Sequence, residues 1–348
     1  TLGIPNHVPA GAVVVDDGSQ PPVPDCTVRL PVNQGPAAAR NAGLELVSTD
    51  LVAFVDADVA LTDGWLDTLL PHFDDERVAR VAPRVRASPT DPVLGRYERD
   101  ESPLDLGAEP ARVEAGSRVS YVPAAAVVCR TGAIREIGGF DTTLRFGEDV
   151  DLVWRLRRAG WTCRYEPEAQ VEHDVRGDFP SWIRQRIGYG SSAAALAKRH
   201  TGALAPVRMS GWSAASWLLG AAGRPVLGSV VGAGSAAALI RKLPDIPPWA
   251  AFKLAGLGNV HAGNQLAAAV RRVWWPILAV AAVRSKSARR VLVASILAVR
   301  HPLRAVDDVA YSVGVWRGML TERTIDPLIP EISSWPGRSQ PAPSAAGR

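Results

Sequence analysis

Acidic side chains recur where apolar runs end. In open α/β sheets ligands bind outside the carboxyl ends of the strands, so acids at those ends are placed to do chemistry. Asp16 and Asp17 follow the run that ends at Val15, and Asp56 and Asp58 follow Leu51–Val55. At a strand end residues two apart point the same way, so Asp56 and Asp58 are expected to face one ligand. Two carboxylates converging on one point repel unless a cation lies between them. Hard oxygen ligands suit Mg2+ or Mn2+, which keep positions open for a substrate's phosphates. An isolated D-x-D is more often a turn whose second acid caps the next segment. Here a second cluster, Glu148-Asp149-Val150-Asp151, opens a helical pattern. Acids favour helix N-termini through the dipole and capping, and an acid there can also act as general base toward a hydroxyl. His173, between Glu172 and Asp174, ends a last strand and joins the D-x-D as a candidate third metal ligand.

The elements that must position these groups alternate. Strand signals at Ala12–Val15, Leu51–Val55, Val78–Ala82, Val119–Cys129 and from Thr162 to about Val171 are separated by helical patterns at Pro36–Val47, Gly64–Phe73 and Asp149–Ala159. That alternation predicts an α/β domain with a mixed, mainly parallel sheet flanked by helices. Pro36 sits at a helix start, and Gly160 closes the helix that the second acidic cluster opens. Residues 83–117 are rich in Pro, Asp, Arg and Gly, which predicts a polar excursion or lid in place of packed core.

The texture changes near residue 200. Residues 1–200 carry 22 Lys and Arg against 29 Asp and Glu, whereas residues 201–348 carry 17 against 6. An acidic half joined to a basic half points to a partner surface. Hydrophobic residues at 47% and charged residues at 21% exclude a disordered or fibrous chain. Three cysteines, none in a C-x-x-C pair, exclude a disulfide scaffold and a zinc ribbon and fit a reducing cytosol. Seven of the eleven Trp lie in the basic half, and its apolar runs are cut by Arg224 and by Arg241-Lys242 before reaching the length of a membrane span. Helices lying in a membrane interface, with Trp274-Trp275 at headgroup depth, fit that pattern. A helical domain with Trp in its core is the other reading. An anionic membrane surface is thus the expected partner and its cytoplasmic face, or the cytoplasm, the expected place. Nucleic acid is a poor partner, because the acidic half would repel phosphates and no base-reading motif occurs. The expected organisation is a catalytic domain over 1–200, a basic apolar helical region over 201–332 and a disordered tail over 333–348.

Taken in order, the motifs are Val13-Val14-Val15-Asp16-Asp17-Gly18-Ser19, Gly35-Pro36-Ala37-Ala38-Ala39-Arg40-Asn41-Ala42-Gly43, Asp56-Ala57-Asp58, Gly138-Gly139-Phe140-Asp141, Gly147-Glu148-Asp149-Val150-Asp151-Leu152 and His173. This succession closely resembles the inverting glycosyltransferases of family 2, which have the GT-A fold, over about residues 12–200. The resemblance implies a nucleotide-diphosphate sugar as donor, with UDP-glucose the first choice, and a hydroxyl acceptor on a small peptide-derived molecule or a glycan. It implies that Asp16 or Asp17 contacts the base or ribose and that Arg40 approaches the base or diphosphate. Asp56 and Asp58 would lie nearest the metal, with His173 as a further ligand. Asp149 would be the general base, and Glu148 would help to position the acceptor. A phosphate-cradling G-x-x-x-x-G-K-[ST] loop is absent from the sequence, so the expected carrier of the diphosphate is Mg2+ or Mn2+.

Two departures stand out. The resemblance places a strand and helix before the Asp-Asp-Gly-Ser strand, where only eleven residues precede Ala12. The expectation is either an N-terminally truncated chain or an incomplete nucleotide site, with weak or no activity from this chain alone. Processive synthases carry Gln-x-x-Arg-Trp where this chain has Trp182-Ile183-Arg184-Gln185-Arg186. That disfavours a membrane-spanning polysaccharide synthase. Trp182, stacking on a sugar, and Arg184 are the acceptor candidates there, with a Trp packing the domain junction as the plainer alternative. Within the family the pattern looks most like the mycofactocin-system glycosyltransferases, on Tyr121-Val122-Pro123-Ala124, Leu144-Arg145-Phe146 with the helix that follows, and the basic apolar half. These add glucose to a peptide-derived redox cofactor. A cell-envelope rhamnosyl- or galactofuranosyltransferase, or a non-catalytic membrane-surface protein with an incomplete sugar-nucleotide domain, would share much of the pattern.

Overall fold

The chain divides at Ala203 and Leu204 into two units. The computed structural model describes residues 11–88, 93–175, 177–243, 245 and 247–332; the tail expected to be disordered lies outside them. In the first unit the chain runs through β1 (Val15–Asp16), β2 (Val28–Arg29), α1 (Pro36–Glu45), β3 (Leu51–Val55), β4 (Val59–Leu61), α2 (Trp65–Leu69) and β5 (Val78–Ser88). It continues through α3 (Leu94–Glu101), β6 (Ala111–Arg112), β7 (Ala126–Arg130), α4 (Thr131–Glu136), α5 (Glu148–Arg158), β8 (Thr162–Asp174) and α6 (Phe179–Arg199).

Six of these strands form one mixed sheet in the order β3-β7-β5-β8-β4, with β6 also on β8. Its longest ladder, β5 with β8, is parallel. The β3–β7, β5–β7, β4–β8 and β6–β8 ladders are antiparallel. Central β5 is closed in on both faces: Val78, Ala79, Arg80 and Val81 are all 0% exposed, as expected for a strand covered by helices on each side. The helix expected from Gly64 to Phe73 is α2 followed by a tighter 3-10 turn, Leu70–Asp74, because Pro71 cannot continue the α-helical ladder.

Three segments differ from their sequence reading, the first being the strand expected at Val119–Cys129, which is the shorter β7. The strand expected at Ala12–Val15 contracts to β1, whose two residues pair only with β2. The described residues of the polar stretch 83–117 are partly built into the core: β5 runs on to Ser88, α3 spans Leu94–Glu101, and Tyr97 and Val113 are buried, while residues 108–110 and 114–118 are exposed. The polarity that reads as loop is neutralised pairwise. Arg84 and Arg86 both bond Asp105, and Glu98 on α3 pairs with Arg186 on α6.

The second unit is helical. It contains β9 (Arg208–Met209), α7 (Gly211–Ala221), α8 (Pro225–Lys242), α9 (Pro248–Ala269), α10 (Trp275–Ala282), α11 (Lys286–Leu297), α12 (Pro302–Glu322) and β10 (Glu331–Ile332), which pairs in parallel with β9. A wide π-helical turn, Val270–Trp274, joins α9 to α10. It turns Arg271 onto the buried carboxylate of Asp308, 2.6 Å away, which Arg304 also reaches at 3.4 Å. Trp217 donates its indole N–H to Asn259 O and packs over Gly263, where a Cβ would lie 2.1 Å from the ring. Trp274 and Trp316 donate to the Leu328 and Val273 carbonyls. The Trp274-Trp275 pair expected at headgroup depth is therefore partly packed inside, while Trp249 stands 69% exposed. Among the described residues no helix is long and apolar enough to cross a membrane.

Candidate active site

The Asp56-Ala57-Asp58 segment is the turn between β3 and β4. Asp56 N–H donates to Ala125 O at 2.8 Å, and Val59 N–H donates back to Asp56 O at 3.1 Å. A turn does not keep the period-two alternation of a strand, and the two acids take different partners. The Asp56 carboxylate meets Arg40 at 2.6 Å. Asp58 meets His173, whose Nε2 lies 3.5 Å from Asp58 Oδ2. The β4–β8 register brings that pair together, since Val59 stands opposite His173 and Asp174 N–H donates to Asp58 O at 2.9 Å.

Arg40 is the junction of the site. Its guanidinium bonds Asp56 Oδ1 at 2.6 Å and Glu148 Oε1 at 2.8 Å, and it lies over the Phe140 ring, 5.4 Å from the centroid. The neighbouring Asn41 fixes α1 by a reciprocal pair: its amide donates to Phe140 O at 2.8 Å and accepts from Phe140 N at 2.9 Å. Thus the Ala-Arg-Asn and Gly-Gly-Phe-Asp motifs dock on each other. Burial lowers the Arg40 pKa, but the Asp56 and Glu148 charges outweigh it and hold it above the ordinary value. Burial raises Asp56, with Arg40 opposing and Asp58 adding repulsion. Burial also raises Glu148, and the Asp149 charge beside it pushes the same way.

Gly147 begins α5 in the left-handed region, with φ of 80°, a backbone that favours glycine. Glu148 and Asp149 follow in the first turn. Asp149 is half-buried, accepting the Val150 N–H at 2.8 Å on one oxygen and the Ala124 N–H at 3.3 Å on the other. Asp16 is turned into its own loop, where it accepts from Ser19 N at 2.9 Å and Val23 N at 3.1 Å and pairs with Arg29. The Ser19 N–H leads the groups that hold its carboxyl below the usual range, against the effect of burial. Asp17, more open, accepts from Gln34 N and Gly35 N at 2.7 and 2.8 Å, just ahead of α1. Asp16 therefore shapes the loop, and of the two it is Asp17 that retains some exposed surface.

The acceptor candidates need correction. Trp182 is fully buried: its indole donates to Glu98 Oε1 at 2.6 Å, Phe179 stacks on it, Tyr97 meets it edge-on and the Arg186 guanidinium lies over it. No face is left for a sugar. Arg184 is exposed and bonds back to Ser181. The cavity beside His173 is lined by Arg86, Glu98, Gln185, Arg186 and Tyr189 among others, with the buried Trp182 in its wall. Burial holds the Tyr189 phenol above its usual range. Sequence reasoning missed Glu98, Arg186 and Arg80. Glu98 lies in the stretch read as a lid, and Arg80 in a strand whose apolar neighbours gave no reason to single it out.

Among the described residues no three His, Cys, Asp or Glu side chains converge to cage a metal ion. Asp56, the other acid of the D-x-D, is bonded through its Oδ1 to Arg40. The Asp58–His173 pair still suits a hard divalent cation. A carboxylate and an imidazole, 11% and 13% exposed, leave the remaining positions for phosphate oxygens and water.

Residues 12–135 match the profile of glycosyl transferase family 2. The chain is 41% identical over 360 aligned residues to the pre-mycofactocin glycosyltransferase of Mycobacterium tuberculosis, covering 92% of this chain and 76% of that protein. It is 25% identical to the poly-beta-1,6-N-acetyl-D-glucosamine synthase of Staphylococcus aureus, over 46% of this chain and 39% of the synthase. Among solved structures, a mannosyltransferase from Pyrobaculum calidifontis in complex with GDP-Man and Mn2+ aligns at 15% identity with a TM-score of 0.46, covering 86% of this chain and 71% of that one.

Proposed function

This chain belongs to glycosyl transferase family 2, and on that premise we propose that it moves a hexose, glucose from UDP-glucose, onto a hydroxyl of pre-mycofactocin with inversion at the anomeric carbon. The Arg40 bridge carries the reading. One guanidinium joins Asp56, at the head of the D-x-D turn, to Glu148, beside Asp149, and this link between the two acidic motifs supports reading them as one site. The acceptor itself is inferred from the relative's name.

Asp149 takes the acceptor proton as the hydroxyl oxygen attacks the anomeric carbon from the face opposite the leaving group. The bond to the diphosphate oxygen breaks as the new glycosidic bond forms, and its electron pair leaves with the diphosphate. Glu148, oriented by Arg40, accepts a hydrogen bond from the incoming acceptor. Asp17 meets the nucleoside. Asp58 and His173 would hold Mg2+ or Mn2+. When bound, that ion neutralises the charge that develops on the departing diphosphate. The second unit holds the enzyme at the cytoplasmic face of an anionic membrane. Supporting this, α7–α11 contain basic residues and no Asp or Glu, and they expose Val226, Trp249 and Leu297.

The test is transfer from UDP-glucose to pre-mycofactocin by the full-length protein and its Asp149→Asn variant. Turnover should fall by about 10²–10⁴-fold with donor affinity within about twofold. Wild-type turnover by the variant removes Asp149 as the base, and transfer from another sugar nucleotide alone replaces glucose.

A further inference from the structure

We propose that Arg80 is a positioning residue for Asp149, holding both ends of the hydrogen bond that orients the base. The inference rests on Asp149 being the base and adds a residue to which no role has been given. Arg80 sits in the middle of β5 and is 0% exposed. Its Nη1 donates to the backbone carbonyl of Asp149 at 3.4 Å, and its Nη2 donates to the carbonyls of Val122 and Pro123 at 3.2 and 3.3 Å. The next residue in that loop is Ala124, whose N–H donates to Asp149 Oδ2. Arg80 thus grips the loop that presents the donor and the main chain of the residue that accepts from it.

A buried arginine is ordinarily neutralised by a carboxylate, and among the described residues this one bonds only carbonyls. Across the sheet it stands level with Cys129 and Cys163. Burial pushes these thiols up to about 12 and about 11, so both stay protonated and neither offsets the charge. Its Nε finds no hydrogen-bond partner among the described residues. An apolar side chain of similar length would fill this space without the desolvation penalty of a lone cation. What the cation provides instead is direction. Three carbonyls from two segments distant in sequence are fixed to one planar group, and the resulting geometry ends on the reacting carboxylate. Asp149 Oδ1 is already held by the Val150 N–H within its own turn. The Ala124 bond is therefore the one that sets the rotation of the carboxylate across the pocket.

The experiment compares wild type, Arg80→Lys, Asp149→Asn and the double variant in the transfer assay above. Lysine keeps the charge and loses the planar fork. Arg80→Lys should lower kcat about 10-fold to 100-fold, as a small misplacement of a reacting group does, with the donor KM within twofold. In the Asp149→Asn background the same substitution should change the residual rate less than about twofold, because residues acting through one group are not additive. An equal drop in both backgrounds, or an Arg80→Lys kcat within twofold of wild type while Asp149→Asn is inactive, overturns the proposal. A fully active Asp149→Asn instead overturns the base assignment beneath it. Should Arg80→Lys fail to fold, the Ala124 amide resonance decides: it should move between wild type and Asp149→Asn, and an unmoved resonance shows that the link is absent.

Discussion

In the first unit many of the acids are paired with arginines: Asp16 with Arg29, Asp56 and Glu148 with Arg40, Glu98 with Arg186, Asp105 with Arg84 and Arg86. In the second unit, helices α7–α11 contain no Asp or Glu at all. There Leu218, Val226, Trp249, Val280 and Leu297 are 69%, 75%, 69%, 77% and 79% exposed. Polar pairing in the first unit turns inward and fixes geometry. The second unit leaves large apolar side chains exposed on helices that hold basic residues without acids, the feature that supports the proposed contact with anionic lipid.

Two tryptophans put the contrast to its harshest test. Trp182→Ala removes a fully buried ring and leaves buried Glu98 without one of its donors. It should destabilise the protein by about 3–5 kcal/mol in a denaturant melt. Trp249→Ala touches a side chain that is 69% exposed. It should stay within about 0.5 kcal/mol of wild type yet lower recovery on anionic vesicles in a flotation assay at low salt. Equal melts for the two variants, or flotation unchanged by Trp249→Ala, would erase the division of labour.

Asp58→Ala sharpens it from the other side. Loss of one of the two proposed side-chain ligands should weaken divalent-dependent UDP-glucose binding by at least about 10-fold, read by titration with and without Mn2+. Vesicle recovery should be unchanged. Donor affinity indifferent to both the substitution and the ion would dismiss the Asp58–His173 pair as a metal site.

How far the sequence disclosed this arrangement depended on whether a residue's role is local. Gly147, the acids after it and the strand from Leu51 to Val55 were legible because caps, helix starts and apolar runs are neighbours in the chain. The D-x-D and His173 were legible as motifs, but not the different partners that Asp56 and Asp58 take, which follow from a turn and from the β4–β8 register that sets His173 opposite Val59. Arg80, Glu98 and Arg186 were illegible for the same reason. A charged residue in a strand or in a Pro- and Asp-rich stretch looks solvated until its partner, 88 residues away in the case of Glu98 and Arg186, is placed beside it. Trp182 failed in the opposite direction: its type suggested a sugar platform, and its surroundings made it core.

The smallest expected effect separates pairing for stability from pairing for function within the first unit. Burial and the Asp149 charge raise the Glu148 carboxyl above its ordinary 4.5 although Arg40 pulls it down. A folded-state pKa above the unfolded one means that the folded protein binds more protons. Its stability therefore declines as pH climbs from the ordinary value through the raised one, and stays lower beyond it. Glu148→Gln has no proton to lose there, and its amide oxygen can still accept from Arg40. The variant should melt at or slightly above wild type at pH 7 and coincide with it near pH 4, while its transfer rate falls because the acceptor loses an ionised partner. That pattern would mark Glu148 as an acid kept charged for its task at the expense of stability. A wild type that is the more stable of the two at pH 7, with the gap closing in acid, would show that the Arg40 bond outweighs burial, and that this corner holds the fold together much as Asp16 and Arg29 do.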